Sequence, residues 1–324
     1  MQSQGSVARW QVGLALGLVY VLWGSTYLAI RFAVESLPPF GMAAARFLMA
    51  GTLLYAWARL RGASRPTRAH WRTASVVGLL LLFGANGAVV WAEQAISSAL
   101  AALLVSTVPL FMALFEWMRG GERPTLPVTL GLLLGFAGVA LLVDPTGAAG
   151  GSVAVIPALV TTGASIAWAI GSLYARGAPS HPSPLLGSAM QMLAGGAGLA
   201  VLSLATGESF SLAAASARSV NALLYLVVFG SLAGFTAYSW LLRNVRPTLA
   251  STYAYVNPVV AVLLGWALAG EAVGPRTVFA SALIVGAVCL ITAMKGRKAE
   301  AAAPAAAPAP VLLQTEELVT RQAS

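Results

Sequence analysis

Few side chains in this sequence can do chemistry, and most of those stand inside long apolar runs. Two stretches share one pattern: Pro109 is followed by Glu122 and Pro258 by Glu271, 13 residues on in each case (122−109 and 271−258). Proline in mid-helix removes an N–H and clashes with the carbonyl four residues back, so Pro109 would free the carbonyl of Val105 and Pro258 that of Ala254. In hydrocarbon a freed carbonyl needs protein or a water-lined cavity against it. Polar side chains stand beside both breaks: Tyr253 and Asn257 lie at i and i+4 next to Pro258, Tyr255 sits on a neighbouring face, and Thr107 just precedes Pro109. Hydroxyl, amide and free carbonyl together bind polar solutes or ions without covalent chemistry, as broken helices do at a membrane midplane.

Other polar residues repeat the theme. Trp23 and Tyr27 share a face at i and i+4, and Trp168 and Ser172 repeat that placement later in the chain. Trp23 is half-way along its run, which favours a cavity wall over an interfacial aromatic belt. Asn86 and Glu93 are seven apart on one face; Asn86 is deep enough to need a partner, either a solute or a neighbouring helix. Arg31 and Glu93 fall near the ends of their runs, where they either pair across a mouth or reach separately for the headgroups. Arg46 lies deeper and must face protein or water, because a charge near the midplane costs at least ~2.5 kcal/mol. Tyr238 and Trp240 are further aromatic candidates, and Glu116 stands near Arg119. Glu122 and Glu271 read as helix ends or caps. Catalysis finds no footing: the two histidines, His70 and His181, sit in loops, and no HExxH, GxSxG or phosphate-loop string occurs. Neither a metal site nor a cofactor is expected.

The elements that must hold these residues follow from composition. With 58% hydrophobic and only 9% charged residues the chain cannot cover a soluble globule, so it reads as a polytopic membrane protein. The net charge of +9 would suit a nucleic-acid binder, but the arginines cluster in short loops, as the positive-inside rule requires of a membrane protein. The single Cys289 excludes an intrachain disulfide. Ten apolar runs are long enough to span, at about 11–34, 38–58, 71–95, 97–118, 126–143, 153–175, 183–206, 219–243, 247–269 and 274–295. The first exceeds a signal-peptide core and should stay as a span. Residues 1–10 precede the first run, and the Ala/Pro-rich 299–324 reads as a disordered tail.

The runs form a repeat. Trp23 matches Trp168, Pro39 matches Pro184 and Gly51 matches Gly196 at an offset of 145; Phe83 and Gly84 match Phe229 and Gly230 at 146; the proline and glutamate pairs match at 149. Five runs per copy send the second copy into the membrane from the opposite side. Loop charges agree: Arg59, Arg61, Arg65, Arg68 and Arg72 follow the second run, whereas the seventh is followed by Glu208 and Arg218. Both termini are then expected in the cytoplasm. Glycines four apart, such as Gly230 and Gly234, suit close helix packing.

The strings WGSTYLAIRFAVESLPPFGMAAARFLMAG (Trp23 to Gly51) and GANGAVVWAEQAISSALAALLVSTVP (Gly84 to Pro109), with both proline-to-glutamate stretches, resemble the EamA family of the drug/metabolite transporter superfamily, in its YedA-type permease branch. The likeness extends to Met294. It implies an all-α integral membrane protein of ten transmembrane helices in two inverted five-helix EamA repeats, at 11–144 and 151–295, moving small metabolites, often outward. It also implies a basket whose helices one, three, four, six, eight and nine line the cavity. The second copy departs from the first, with WAIGSLY where the first has WGSTY. The expectation is a bacterial inner-membrane exporter of amino acids or related amphipathic solutes, working by alternating access around Trp23, Tyr27, Asn86, Thr107, Trp168, Ser172, Tyr238, Tyr253, Tyr255 and Asn257. Its partners would be the solute, lipid and a coupling proton carried by Glu93 or Glu116, as a monomer or homodimer and without nucleic acid. The alternatives are an uncoupled facilitator or exchanger and, from other classes, a membrane-embedded receptor or enzyme.

Overall fold

The computed structural model describes residues 8–120, 123, 125–143, 154–245 and 253–301. Every regular element among them is helical, and they form ten rods. In chain order these are α1 (Arg9–Ala33), α2 (Pro39–Leu60), α3 (Arg68–Ala92), α4 (Ser98–Met118), α5 (Leu126–Val143), α6 (Val155–Gly177), α7 (Pro184–Ala205), α8 (Ala217–Tyr225 continuing through Gly234–Asn244), α9 (Tyr253–Ala269) and α10 (Pro275–Ala301). Seven helices are long and apolar enough to cross a membrane, and α5, α9 and α10 supply the shorter apolar stretches Leu126–Leu141, Val256–Ala269 and Pro275–Leu290.

Local chemistry sets the ends. Pro39 and Pro184 open α2 and α7, where a missing N–H goes unnoticed. Gly62 and Gly207, equivalent at the offset of 145, close the same two helices with φ of 84° and 72°, values that favour glycine. α10 runs past the expected end at 295 to Ala301, because Lys, Arg, Ala and Glu after Met294 are good helix formers. Residues 302–324 and Glu122 lie outside the described residues.

Two carboxylates tie the copies together. Glu208, after α7, accepts from the N–H groups of Phe40 (3.2 Å) and Gly41 (2.8 Å) in the first turn of α2. Glu271, after α9, accepts from those of Ser98 (2.8 Å) and Ala99 (3.1 Å) in the first turn of α4. The start of α2 therefore lies beside the end of its counterpart α7, and the start of α4 beside the end of α9, so the repeats are inverted. Packing is reciprocal: α1 touches α8 and α9 as α6 touches α3 and α4, α2 touches α8 as α7 touches α3, and α2–α7, α4–α9 and α5–α10 pair with their own equivalents. Met42, Phe47, Met192, Leu199 and Leu226 make the core between α2, α7 and α8.

Three departures from regular helix stand at the centre. α3 widens into a π-helical stretch at Leu79–Asn86, and α8 does the same at Leu226–Ala233. α4 breaks into Ser98–Val105 and Val108–Met118. The expected mid-helix kink at Pro109 is corrected here: the chain turns at Ser106 and Thr107, and Pro109 sits in the first turn of the second segment, where its missing N–H costs nothing. Pro258, by contrast, stays inside a helix.

Candidate functional site

Trp23, half-buried in the middle of α1, is the hub. Its ring stands edge-on to Tyr253 of α9 at 5.0 Å between centroids, tilted against Tyr238 of α8 at 5.0 Å, and edge-on to Phe235 at 5.4 Å. Tyr238 and Tyr253 also meet edge-on, at 5.6 Å. The indole Nε1 donates to the carbonyl of Gly230 at 3.2 Å. That carbonyl belongs to the wide turn of α8, where the N–H of Gly234 goes to the carbonyls of Phe229 and Ser231 rather than to Gly230 as an α-helix would have it. Two glycines keep the ring in place. A Cβ on Gly234 would run into the indole, and one on Gly230 would meet Thr26 at 2.9 Å and the Arg46 guanidinium at 3.2 Å.

Three of the buried polar atoms without partners among the described residues lie on residues that the sequence singled out. They are Oδ1 of Asn257 beside Pro258, Oδ1 of Asn86 at the end of the wide turn of α3, and Nη1 of Arg46. Arg46 is 4% exposed; its Nε donates to Ser231 Oγ at 3.1 Å, and its guanidinium lies 4.8 Å from the Phe47 ring centroid. An unsatisfied buried polar atom costs about 1–3 kcal/mol, so these groups are suited to hold a polar solute. α1 reaches α9 closely here: a Cβ on Gly24 would lie 2.6 Å from that of Val260. No group of three His, Cys, Asp or Glu comes together among the described residues.

Residues 11–144 and 155–293 each match the model of the EamA-like transporter family. The chain belongs to that family. It is 42% identical over 279 residues to YedA of Escherichia coli K12, named an inner membrane transporter, covering 86% of this chain and 89% of that one. It is 26% identical over 292 residues to YvbV of Bacillus subtilis, named a transporter, covering 90% and 95%. A solved crystal structure aligns with a TM-score of 0.61 at 24% identity, covering 90% of this chain and 99% of the other, and shares the fold.

This EamA chain brings Trp23, Tyr238 and Tyr253 into one cluster. Tyr27 and Trp168 belong to another, packed with Trp91 and Val105 around Ala85, Val89 and Ala164. Ser172 is half-buried and joins neither. The side chain of Tyr255 lies outside the described residues. Thr107 is fully buried, and its hydroxyl donates to the carbonyl of Leu104 at 2.6 Å, so it closes the break rather than facing a cavity. Ser165 of α6 donates to the same carbonyl at 3.0 Å, and Ser106 to Leu103 at 2.7 Å. The break in α4 is thus satisfied by hydroxyls from both repeats. Of the two alternatives for Arg31, the ion pair with Glu93 is not formed: Arg31 Nη1 donates to the backbone carbonyls of Glu93 (2.5 Å) and Ile96 (3.2 Å), capping the end of α3. Helix-end carbonyls carry partial negative charge and attract cations, which explains the preference.

Sequence reasoning missed Ser165, Ser231, Phe235 and the wide turns. The match of Phe83 and Gly84 with Phe229 and Gly230 was the one signal marking those turns.

Proposed function

We propose that this EamA protein exports small amphipathic organic solutes, amino acids or their relatives, by alternating access, with the aromatic cluster of Trp23, Tyr238 and Tyr253 as the wall of its binding cavity. The observation that carries the reading is the clustering of those rings between α1, α8 and α9, together with unpartnered polar atoms on Asn86, Asn257 and Arg46 in helices of both repeats. Rings take an apolar portion, while amide oxygens and a guanidinium take the ammonium and carboxylate of a zwitterion. The arginine-rich loop face, with Arg59, Arg61, Arg65, Arg68 and Arg72, lies in the cytoplasm with both termini. Tags on residues 1 and 324 should both be inaccessible from outside the cell; a tag labelled from outside removes the orientation.

Counterflow in proteoliposomes across a panel of amino acids and cationic drugs, with and without a pH gradient, tests the activity. Trp23→Ala and Asn257→Ala should abolish counterflow at unchanged expression. Full activity in both would remove the cavity. Accumulation that ignores the gradient would make the protein an uncoupled facilitator or exchanger.

A further inference from the structure

The transport reading leaves one group unused. Glu93, directly after α3, is 0% exposed, and neither of its carboxyl oxygens has a hydrogen-bond partner among the described residues. Two of the charged groups around it, Arg31 and Glu271, are engaged with backbone groups. From α1, Arg31 spends its guanidinium on the backbone carbonyls of Glu93 itself and Ile96. From α2, Arg46 is tied to Ser231 through Nε, with Nη1 unpartnered. From beyond α9, Glu271 has its carboxylate on the first amides of α4; burial first and the Glu271 charge next oppose ionisation of Glu93, while the Arg31 and Arg46 charges and the Arg31 backbone favour it, and burial prevails. Tyr27 of α1 is the remaining titratable neighbour.

An ionised carboxylate buried without hydrogen bonds costs several kcal/mol, and in proteins such a group takes a proton instead. Access is close at hand. A cleft of about 260 Å³ is lined by Arg31, Ala95, Ile96, Ser97, Arg218 and Glu271 among others, so five residues that surround or closely follow Glu93 form part of its wall.

We propose that the Glu93 carboxyl is a proton-binding site beneath this cleft, protonated while buried as seen here and giving its proton to water when the cleft reaches it. The carboxylic acid then becomes a carboxylate. The new charge is drawn to Arg31 and to the free Nη1 of Arg46, so loss of the proton and movement of the end of α3 against α1 and α2 go together. The use of this proton to drive a solute rests on the transport reading; the site itself does not.

The test is solute-free. Infrared spectra of the full-length protein in liposomes at about pH 7, where exposed carboxyls of pKa about 4.3 are ionised, should contain a protonated-carboxyl C=O band that shifts in D2O. Glu93→Gln, which is isosteric with the neutral acid, should lose that band. Glu93→Asp should keep a displaced one. Absence of the band in the wild type, or its survival in Glu93→Gln, overturns the proposal. A band lost in Glu93→Gln, together with failure of every panel solute in counterflow, supports the proton site and counts against the transport reading alone.

Discussion

Replacing Glu271 with glutamine asks how much the staple between α9 and α4 contributes. The carboxylate accepts from Ser98 and Ala99 at 2.8 and 3.1 Å and faces the positive end of α4. Hydrogen bonds to a charged group are worth about 1.5–3 kcal/mol each. A carboxylate at a helix N-terminus adds about 0.3–1 kcal/mol. Glutamine keeps one acceptor oxygen and loses the other bond and the charge, so Glu271→Gln should cost ~2–4 kcal/mol. At about 2 °C per kcal/mol for a chain of this size, the melting temperature should fall by ~4–8 °C. Unfolding in detergent, followed by tryptophan fluorescence, reads this directly. Gly265 provides an independent arm: a Cβ there would strike the Glu271 carboxylate and come within 3.0 Å of Ser98 Oγ. Gly265→Ala should therefore lower the melting temperature similarly, and the double variant should fall no further than the larger single, since both remove one interaction. A melting temperature for Glu271→Gln within about 1 °C of wild type, or strictly additive singles, would refute the reasoning.

Three further outcomes follow from the geometry. Gly234→Val should drive Trp23 off the Gly230 carbonyl and abolish counterflow, while Gly163→Val, at a position with nothing within 4 Å of an added Cβ, should retain it. Ser165→Ala removes one of the hydroxyls on the Leu104 carbonyl and should cost ~1 kcal/mol, seen as a melting shift of about 2 °C. The double swap Arg31→Glu with Glu93→Arg should restore none of the transport lost in either single, because Arg31 holds main-chain carbonyls; recovery in the swap would reinstate a side-chain pair.

Spans and repeats were legible in the sequence because hydropathy and fixed offsets do not depend on packing. The end of α10 moved because helix propensity after Met294 carries a rod beyond its apolar stretch. The break in α4 was misplaced for a different reason: a proline with the same neighbours can kink a helix or begin one, and the choice turned on Ser106, Thr107 and the distant Ser165. The wide turns of α3 and α8 left no mark in hydropathy, since the extra residue in each is as apolar as its neighbours. For Arg31 the sequence offered the Glu93 carboxylate or the headgroups, yet its partner is main chain, which every residue carries and no sequence pattern reveals. Arg46 could be recognised as requiring company, but Ser231 lies 185 positions away.

The two proline helices have a consequence for the transport cycle. In a duplicated carrier the opposite-facing state is reached most simply when each half adopts the shape its twin had before. Here that exchange would require α9 to come apart at Tyr255 and Val256, the counterparts of Ser106 and Thr107, and α4 to anneal across them. Pro109 would then sit in mid-rod, and the hydroxyl that Ser165 lends to Leu104 would have to find another acceptor. On the alternating-access proposal, the two end states would therefore differ in which of the two proline helices is broken.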